Sequence, residues 1–212
     1  MSPASRWERL APLTGVVFVV LAIVSIILSG STPDSTDTTT GVVGFWQAHD
    51  SREATSGIVG AVAIIFFLWF LASLRTTLGR NGGQSERIAT TVFAGFLVFA
   101  VGLLALLSFQ FAAADVADNS GVAPEVVGTL SVLQSDFFFP LSVGLITGFL
   151  ATAIAILRYG AFPRWLAYFA ILTAVLFFTP GFFIGIILAG IWVLVASVLM
   201  YQQAGAARPQ NA

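Results

Sequence analysis

The sequence predicts an all-α, polytopic membrane protein with six transmembrane helices. Of its 212 residues, 58% are hydrophobic and only 9% are charged, and the mean hydropathy is +0.95. A soluble domain would carry about 25% charged residues. The apolar residues form six long runs, and the charged residues lie between them. Because the runs lack the apolar–polar alternation of membrane barrel strands, they are predicted to be helices.

Each apolar run has about the 17–25 residues that a helix needs to cross roughly 30 Å of hydrocarbon. The predicted spans are residues 11–28, 57–74, 88–112, 137–157, 163–178 and 182–201. They form a single membrane domain, residues 1–212, with a short cytoplasmic tail at 203–212. The fifth run is the shortest, but omitting it would place Arg208 among the acidic loops. The first run is too long for the apolar part of a secretory signal, so we expect it to remain as a span.

The charges sort by sign from one gap to the next, and this sorting predicts the orientation. One set of gaps holds every basic residue except Arg52: Arg6, Arg9, Arg75, Arg80, Arg87, Arg158, Arg164 and Arg208. The other set holds most of the acids: Asp34, Asp37, Asp50, Glu53, Asp115, Asp118, Glu125 and Asp136. Since short loops rich in arginine stay in the cytoplasm, both termini are predicted to be cytoplasmic.

Two short amphipathic helices are predicted on the acidic side. Threonines at 38–40 can cap a helix across residues 41–50. Pro124 suits the first position of the second helix. We expect this second helix to run through Asp136 into the fourth span, with a kink at Pro140.

Residue types that catalysis requires are scarce. The chain has no cysteine, and its one histidine is His49. A haem between two histidines and a thiolate metal site are therefore excluded. No nucleophile-elbow, phosphate-binding or dinucleotide-binding pattern occurs. We predict no enzymatic activity, catalytic residue, cofactor, metal site or nucleic-acid partner.

Away from their ends, the predicted spans contain no Asp, Glu, Lys, Arg or His. Such side chains usually mark proton relays and ion paths, so their absence argues against an ion-coupled transporter acting alone. Gln110 follows Ile88 by about 22 residues, or ~33 Å of helix, and is predicted to be a polar residue at the outer interface.

The acidic loops hold the candidate binding residues. A site for a cation or a basic partner would use Trp46, His49, Asp50, Glu53, Asp115, Asp118 and Asp136. The alternative is that these acids are simply solvated and sorted by charge. A sequence pattern does not fix the geometry that would decide between the two.

Small residues recur at four-residue spacing and predict close helix contacts. They are Gly144, Gly148 and Thr152 in the fourth span, and Gly181, Gly185 and Ala189 at the sixth. Small side chains let helix backbones approach closely in lipid, where no hydrophobic drive brings helices together. Packing within the bundle is the first interpretation, and a homodimer face is the alternative.

Several short motifs resemble those of a group of small prokaryotic six-span membrane proteins that is classified as a domain of unknown function. They are Trp7 with residues 13–18, Pro33 with Phe45, Trp46 and His49, residues 70–75, and residues 163–166. The resemblance covers most of the chain. It implies a multi-pass fold in a prokaryotic cytoplasmic membrane, and it carries no activity, cofactor or catalytic residue.

Two classes of function fit this sequence. The first is a non-enzymatic accessory, assembly or sensor component that presents its acidic loops to a membrane-protein partner. The second is a small-solute permease or channel, acting alone or as a homo-oligomer. A permease needs a continuous polar stripe through the bundle. The few hydroxyl residues of the spans favour the first class.

The predicted orientation can be measured on this naturally cysteine-free chain. A membrane-impermeant thiol reagent applied to intact cells should label Thr36→Cys and Asn119→Cys, because both positions lie in acidic loops. It should not label Gly83→Cys, which lies between arginines. Labelling of the Gly83→Cys variant would contradict the predicted orientation.

Overall fold

The computed structural model describes residues 10–30, 37–117, 121, 123–179 and 181–206. In these residues the chain forms seven α-helices, one 3₁₀ turn and no strand, which confirms the all-α prediction. The elements are the 3₁₀ turn Ala11–Leu13, α1 (Thr14–Ser29), α2 (Thr39–Leu78), α3 (Gln84–Ala117), α4 (Pro124–Asp136), α5 (Phe138–Tyr159), α6 (Arg164–Leu176) and α7 (Phe182–Ala206).

The helices are those of a polytopic membrane protein. In the described residues, five helical segments are long and apolar enough to cross a membrane: α1 with its 3₁₀ turn, α2, α3, α4 with α5, and α7. Helix α6 replaces the predicted fifth span and has only 13 residues, about 20 Å of helix. It is therefore the shortest apolar helix of the bundle.

Helix α2 corrects the prediction of a separate short helix across residues 41–50. It runs unbroken for 40 residues, or about 60 Å. The side chain of Thr38 accepts a hydrogen bond from the Gly41 N–H at 3.3 Å and caps the start of the helix. The part of α2 before residue 57 therefore extends about 27 Å beyond the predicted span as a continuation of the same helix.

A heptad repeat explains why α2 is continuous. Residues at seven-residue spacing are all buried along one face: Trp46, Glu53, Gly60, Phe67 and Leu74. Since seven residues make nearly two helical turns, this spacing keeps one side of the helix against the bundle over its whole length. A break near residue 50 would take the outer half of this face out of register with the inner half.

The junction between α4 and α5 also differs from the prediction. The helix does not run through into the fourth span, because α4 ends at Asp136 and Phe137 has φ −78° and ψ 36°. Pro140 therefore stands in the first turn of α5, where its missing N–H breaks no hydrogen bond within the helix. Pro124 does begin α4, as predicted.

The spanning helices pack as a ring. Helix α1 packs on α2, α2 on α3, α3 on α5, α5 on α6, α6 on α7, and α7 on α1. We call the end that carries Arg75, Arg80, Arg87, Arg158 and Arg164 the arginine end, and the opposite end, where α4 lies, the acidic end.

The centre of the ring is filled by aromatic side chains. Five buried aromatic side chains form a chain of ring contacts, with successive centroids 4.5, 6.1, 5.1 and 5.5 Å apart: Phe18, Phe67, Phe96, Phe149 and Trp192. We call this chain of contacts the aromatic line. Trp192 is fully buried, and its indole N–H donates to the Leu166 carbonyl at 3.1 Å. This aromatic line thus connects α1, α2, α3, α5 and α7 directly, and α6 through a hydrogen bond.

Helices α3 and α5 touch backbone to backbone. A Cβ atom added at Gly95 would lie 2.6 Å from the Gly148 nitrogen, and one added at Gly144 would lie 2.8 Å from the Gly95 oxygen. At Gly148 it would lie 2.7 Å from the ring of Phe96. Only glycine fits these positions without a shift of one helix.

The remaining residues of the predicted packing set make looser contacts. Thr152 is fully buried and donates to the Gly148 carbonyl of its own helix at 2.7 Å. A Cβ atom at Gly185 would lie 3.1 Å from the Phe177 ring, and one at Gly181 would lie 3.0 Å from Leu176. Ala189 is half-buried. At Gly181 and Gly185 the neighbours are side chains, which yield more easily than a backbone.

The contact between α3 and α5 makes a testable prediction. Gly144→Ala should destabilise the protein by about 1–3 kcal/mol, because the added methyl group meets backbone atoms of α3. The control is Gly57→Ala, where an added Cβ meets nothing within 4 Å. At that position alanine should be neutral or stabilising by about 0.5–1 kcal/mol. Thermal unfolding in detergent measures both, and equal Tm values would contradict the assigned contact.

Candidate functional site

Beyond the spans, α2, α3 and α4 pack together at the acidic end. Their contact is apolar and consists of Val42, Trp46, Ala113, Ala114, Ala117 and Val127. In addition, the Gln47 side chain donates to the Ala117 carbonyl at 2.8 Å. We call this unit the cap, defined as residues 42–53 of α2, residues 110–117 of α3, and α4. The cap holds the predicted acidic residues that the structure describes.

These predicted residues do not share one environment. Trp46 and Glu53 are fully buried, Asp50 is half-buried and Asp115 is exposed. Trp46 packs in the apolar contact of the cap, and its indole nitrogen is buried without a hydrogen-bond partner among the described residues. Trp46 and Glu53 therefore belong to the interior, whereas Asp115 faces outward.

His49 and Asp136 are the other predicted residues that the structure describes. His49 stacks on Phe45 with ring centroids 4.6 Å apart, and its Nδ1 lies 2.8 Å from the Phe45 carbonyl oxygen. Asp136 is the last residue of α4, and Asp118 lies outside the described residues. Within the described ranges, no three His, Cys, Asp or Glu side chains are grouped so that they could hold a metal ion.

The buried carboxylate of Glu53 joins three helices. Its Oε2 accepts from the Gln110 amide nitrogen at 2.6 Å and from the Ser29 hydroxyl at 2.8 Å. Its Oε1 accepts from the Arg52 guanidinium at 3.1 Å. The Glu53 side chain is 0% exposed, whereas that of Arg52 is 40% exposed. We call Ser29, Arg52, Glu53 and Gln110 the Glu53 cluster.

Arg52 also caps the end of α1. Its guanidinium donates to the carbonyl of Ser29, the last residue of α1, at 3.0 Å. The last carbonyls of a helix lack partners within the helix and carry the negative end of its dipole, so a cation there is stabilising. Gly30 follows with φ +66°, a conformation that favours glycine. This contact accounts for the one arginine among the acidic gaps.

Small and polar residues one turn further into the bundle hold α1 beside Glu53. The hydroxyl of Ser25 donates to the Ser56 carbonyl at 2.9 Å, and the hydroxyl of Ser56 donates to the Ser25 carbonyl at 2.9 Å. A Cβ atom at Gly60 would lie 2.9 Å from Leu107 and 3.1 Å from the Ser25 hydroxyl. The close approach of α1, α2 and α3 at this level leaves little distance between Ser29, Glu53 and Gln110.

The prediction that Gln110 is an ordinary interfacial residue is wrong. Gln110 is only 3% exposed and makes the shortest hydrogen bond to Glu53. Glu53 precedes Arg75 by 22 residues in α2, about 33 Å of helix, so the Glu53 cluster lies near the outer limit of the spans. Its depth follows from the sequence, but its enclosure by protein does not.

Two sequence signals point to the members of the cluster that the prediction missed. Gln110 is the one amide side chain in the apolar run 88–112, and Arg52 is the one base among the acidic gaps. A residue that breaks its local pattern often has a partner elsewhere in the fold. The third missed member, Ser29, has no such signal, because a serine at the end of a span is common.

The Glu53 cluster is a network of charge-assisted hydrogen bonds. Both oxygens of the Glu53 carboxylate accept hydrogen bonds, and the arginine that neutralises this charge reaches solvent. Because the donors to this carboxylate come from α1, α2 and α3, its charge-assisted hydrogen bonds join the three helices at this level. Comparison of the chain with family models, with curated proteins and with solved structures gives no match.

Removal of the central carboxylate should loosen the acidic end. Glu53→Ala leaves the Ser29 hydroxyl, the Gln110 amide and Arg52 without their acceptor, and should destabilise the protein by about 3 kcal/mol. The control, Asp115→Ala, removes an exposed carboxylate and should change stability by less than about 0.5 kcal/mol. Both can be measured as Tm shifts in detergent. If the two variants unfold together, Glu53 is not a structural centre.

Proposed function

We propose that this protein is a non-enzymatic accessory, assembly or sensor component of a prokaryotic cytoplasmic membrane. The sorting of arginines and acids supports an orientation with both termini and the arginine end in the cytoplasm. The resemblance to six-span proteins of unknown function supports the prokaryotic assignment. In this orientation the cap faces the outside and is available to a partner.

The aromatic line is the observation that carries this proposal. It packs five aromatic rings into the buried core, from Phe18 on α1 to Trp192 on α7, whereas a permease would need a polar path for its solute through the bundle. Within this line, the rings of Phe96 on α3 and Phe149 on α5 are in contact, with centroids 5.1 Å apart. A bundle packed in this way favours a role that does not require conduction.

The hydroxyl groups of the spans support the same choice. Thr152, Thr173 and Ser197 donate to the carbonyls four residues earlier in their own helices, at 2.7, 2.9 and 2.8 Å. Hydroxyls engaged in this way do not offer a row of free donors and acceptors to a passing solute. We therefore propose the permease or channel only as the alternative of the two classes.

The cap supports a role in binding a partner. Three helices build it, and its outer surface carries exposed carboxylates at Asp115 and Glu125. The Glu53 cluster anchors its base to α1. A membrane-protein partner with a basic surface is the class of partner that this cap suits, and a second copy of the chain is the alternative.

Purification in mild detergent after cross-linking in cells, followed by mass spectrometry, tests this proposal. The wild-type chain should recover a partner, and Asp115→Asn with Glu125→Gln should recover less of it, because the acidic surface is lost. Glu86→Gln, an exposed acid at the arginine end, is the control and should recover the partner unchanged.

The alternative is tested on the same preparation. Proteoliposomes of the wild-type chain should swell no faster than empty liposomes in gradients of glycerol or urea, and should not conduct K⁺. Protein-dependent flux of any of these solutes would contradict the proposed class and support the permease.

A further inference from the structure

The arginine end carries an unbalanced positive charge. Five arginines are exposed there: Arg75, Arg80, Arg87, Arg158 and Arg164. The one acid described at this end is Glu86, and none of the five arginines forms an ion pair with another described residue. Within the part of the chain that the structure describes, these guanidinium groups are thus exposed and have no carboxylate partner.

A hydrogen bond brings two of these arginines together from separate turns. Asn81, between α2 and α3, donates through its side-chain nitrogen to the carbonyl of Tyr159, at the end of α5, at 3.1 Å. Arg80 and Arg158 are the sequence neighbours of the two bonded residues. The bond therefore holds the two turns that carry these arginines next to each other.

Other contacts fix the turn that follows Arg158. Gly160 ends α5 in the left-handed conformation, with φ +72°, and its N–H donates to the Ile156 carbonyl at 2.9 Å. On α7, Gln203 donates to the carbonyl of Ala161 at 3.0 Å. A guanidinium held beside a fixed turn loses less freedom when it binds a ligand than one on a loose loop.

The neighbouring surface is one that lipid covers. Helix α6 begins directly after this turn, and Trp165 and Tyr168 in its first turns are 52% and 62% exposed. Leu172 and Val175 continue the same exposed face deeper into the span. Exposed aromatic residues at the end of an apolar face are typical of the headgroup level of a bilayer.

We propose that the joined turns bind the phosphate headgroup of an anionic phospholipid, with Arg80 and Arg158 as the phosphate ligands. Arginine suits this role because its planar guanidinium donates two parallel hydrogen bonds to phosphate. The lipid is favoured over a free phosphate ion because the acyl chains of a lipid bound here would lie on the exposed apolar face of α6. This site is independent of the function proposed for the cap.

Native mass spectrometry of the full chain, titrated in detergent with phosphatidylglycerol and with phosphatidylcholine, tests the site. The wild-type chain should retain phosphatidylglycerol in preference to phosphatidylcholine. Each arginine near an anionic headgroup is worth roughly fivefold in affinity, so Arg80→Gln with Arg158→Gln should weaken binding about thirtyfold. Asn81→Ala keeps every charge but removes the bond between the turns, and should also weaken binding severalfold.

The matched control is Arg75→Gln with Arg87→Gln, which removes the same charge from the same end but leaves the joined pair intact. It should weaken phosphatidylglycerol binding by less than about fivefold. Equal losses in both double variants would show diffuse attraction and overturn the site. Equal retention of phosphatidylcholine, or displacement of the lipid by millimolar inorganic phosphate, would overturn it as well. Unchanged Tm values without added lipid would establish that all variants are folded.

Discussion

The fold depends on one constraint: within hydrocarbon, helices gain nothing by hiding apolar surface from water. They must associate through close fit instead. This protein meets the constraint with the backbone contact between α3 and α5, where glycines replace side chains, and with the aromatic line. Phe67, Phe96 and Phe149 each lie eight or nine residues from an arginine at the arginine end of their own helix. The three rings therefore meet at one depth, about 12–14 Å from that end.

The same constraint explains where the polar residues lie. A carboxylate enclosed at the middle of the bundle would need partners at a depth where α1, α2 and α3 carry only apolar and small residues. At the outer limit of the spans, Arg52 can pair with Glu53 while its own side chain stays 40% exposed. Solvent thus stabilises one charge of the pair and protein stabilises the other. The Glu53 cluster joins three helices without burying two charges fully, since full burial of both would cost a large desolvation free energy.

The sequence predicts the class of fold because its signals are long and repeated. The apolar runs together hold more than a hundred residues, and 16 of the 19 charged residues follow the sorting, so the spans emerge from the pattern of the sequence. The position of Gln110 is different, because it depends on which face of α3 meets α2, and a single amide in an apolar run does not reveal its partner. The continuity of α2 follows from a heptad of buried residues that includes Glu53 and Gly60, and the burial of these two residues is seen only in the structure. The polar residues around Asp50 obscure that spacing when apolar runs alone are considered.

The continuity of α2 bears on how the two ends of the protein relate. One face of this helix carries Trp46 in the cap, Glu53 in the Glu53 cluster and Phe67 in the aromatic line. The helix has no proline and no break between these positions. An unbroken helix resists bending, so a partner that displaces the cap must tilt α2 as a whole or break its contacts with α1 and α3. The Glu53 cluster opposes the loss of these contacts, since its hydrogen bonds join α2 to both α1 and α3 near the base of the cap. A force on the cap would therefore reach Phe67 and the rings packed against it as a tilt of the whole helix, and this coupling is what the proposed sensor role would use.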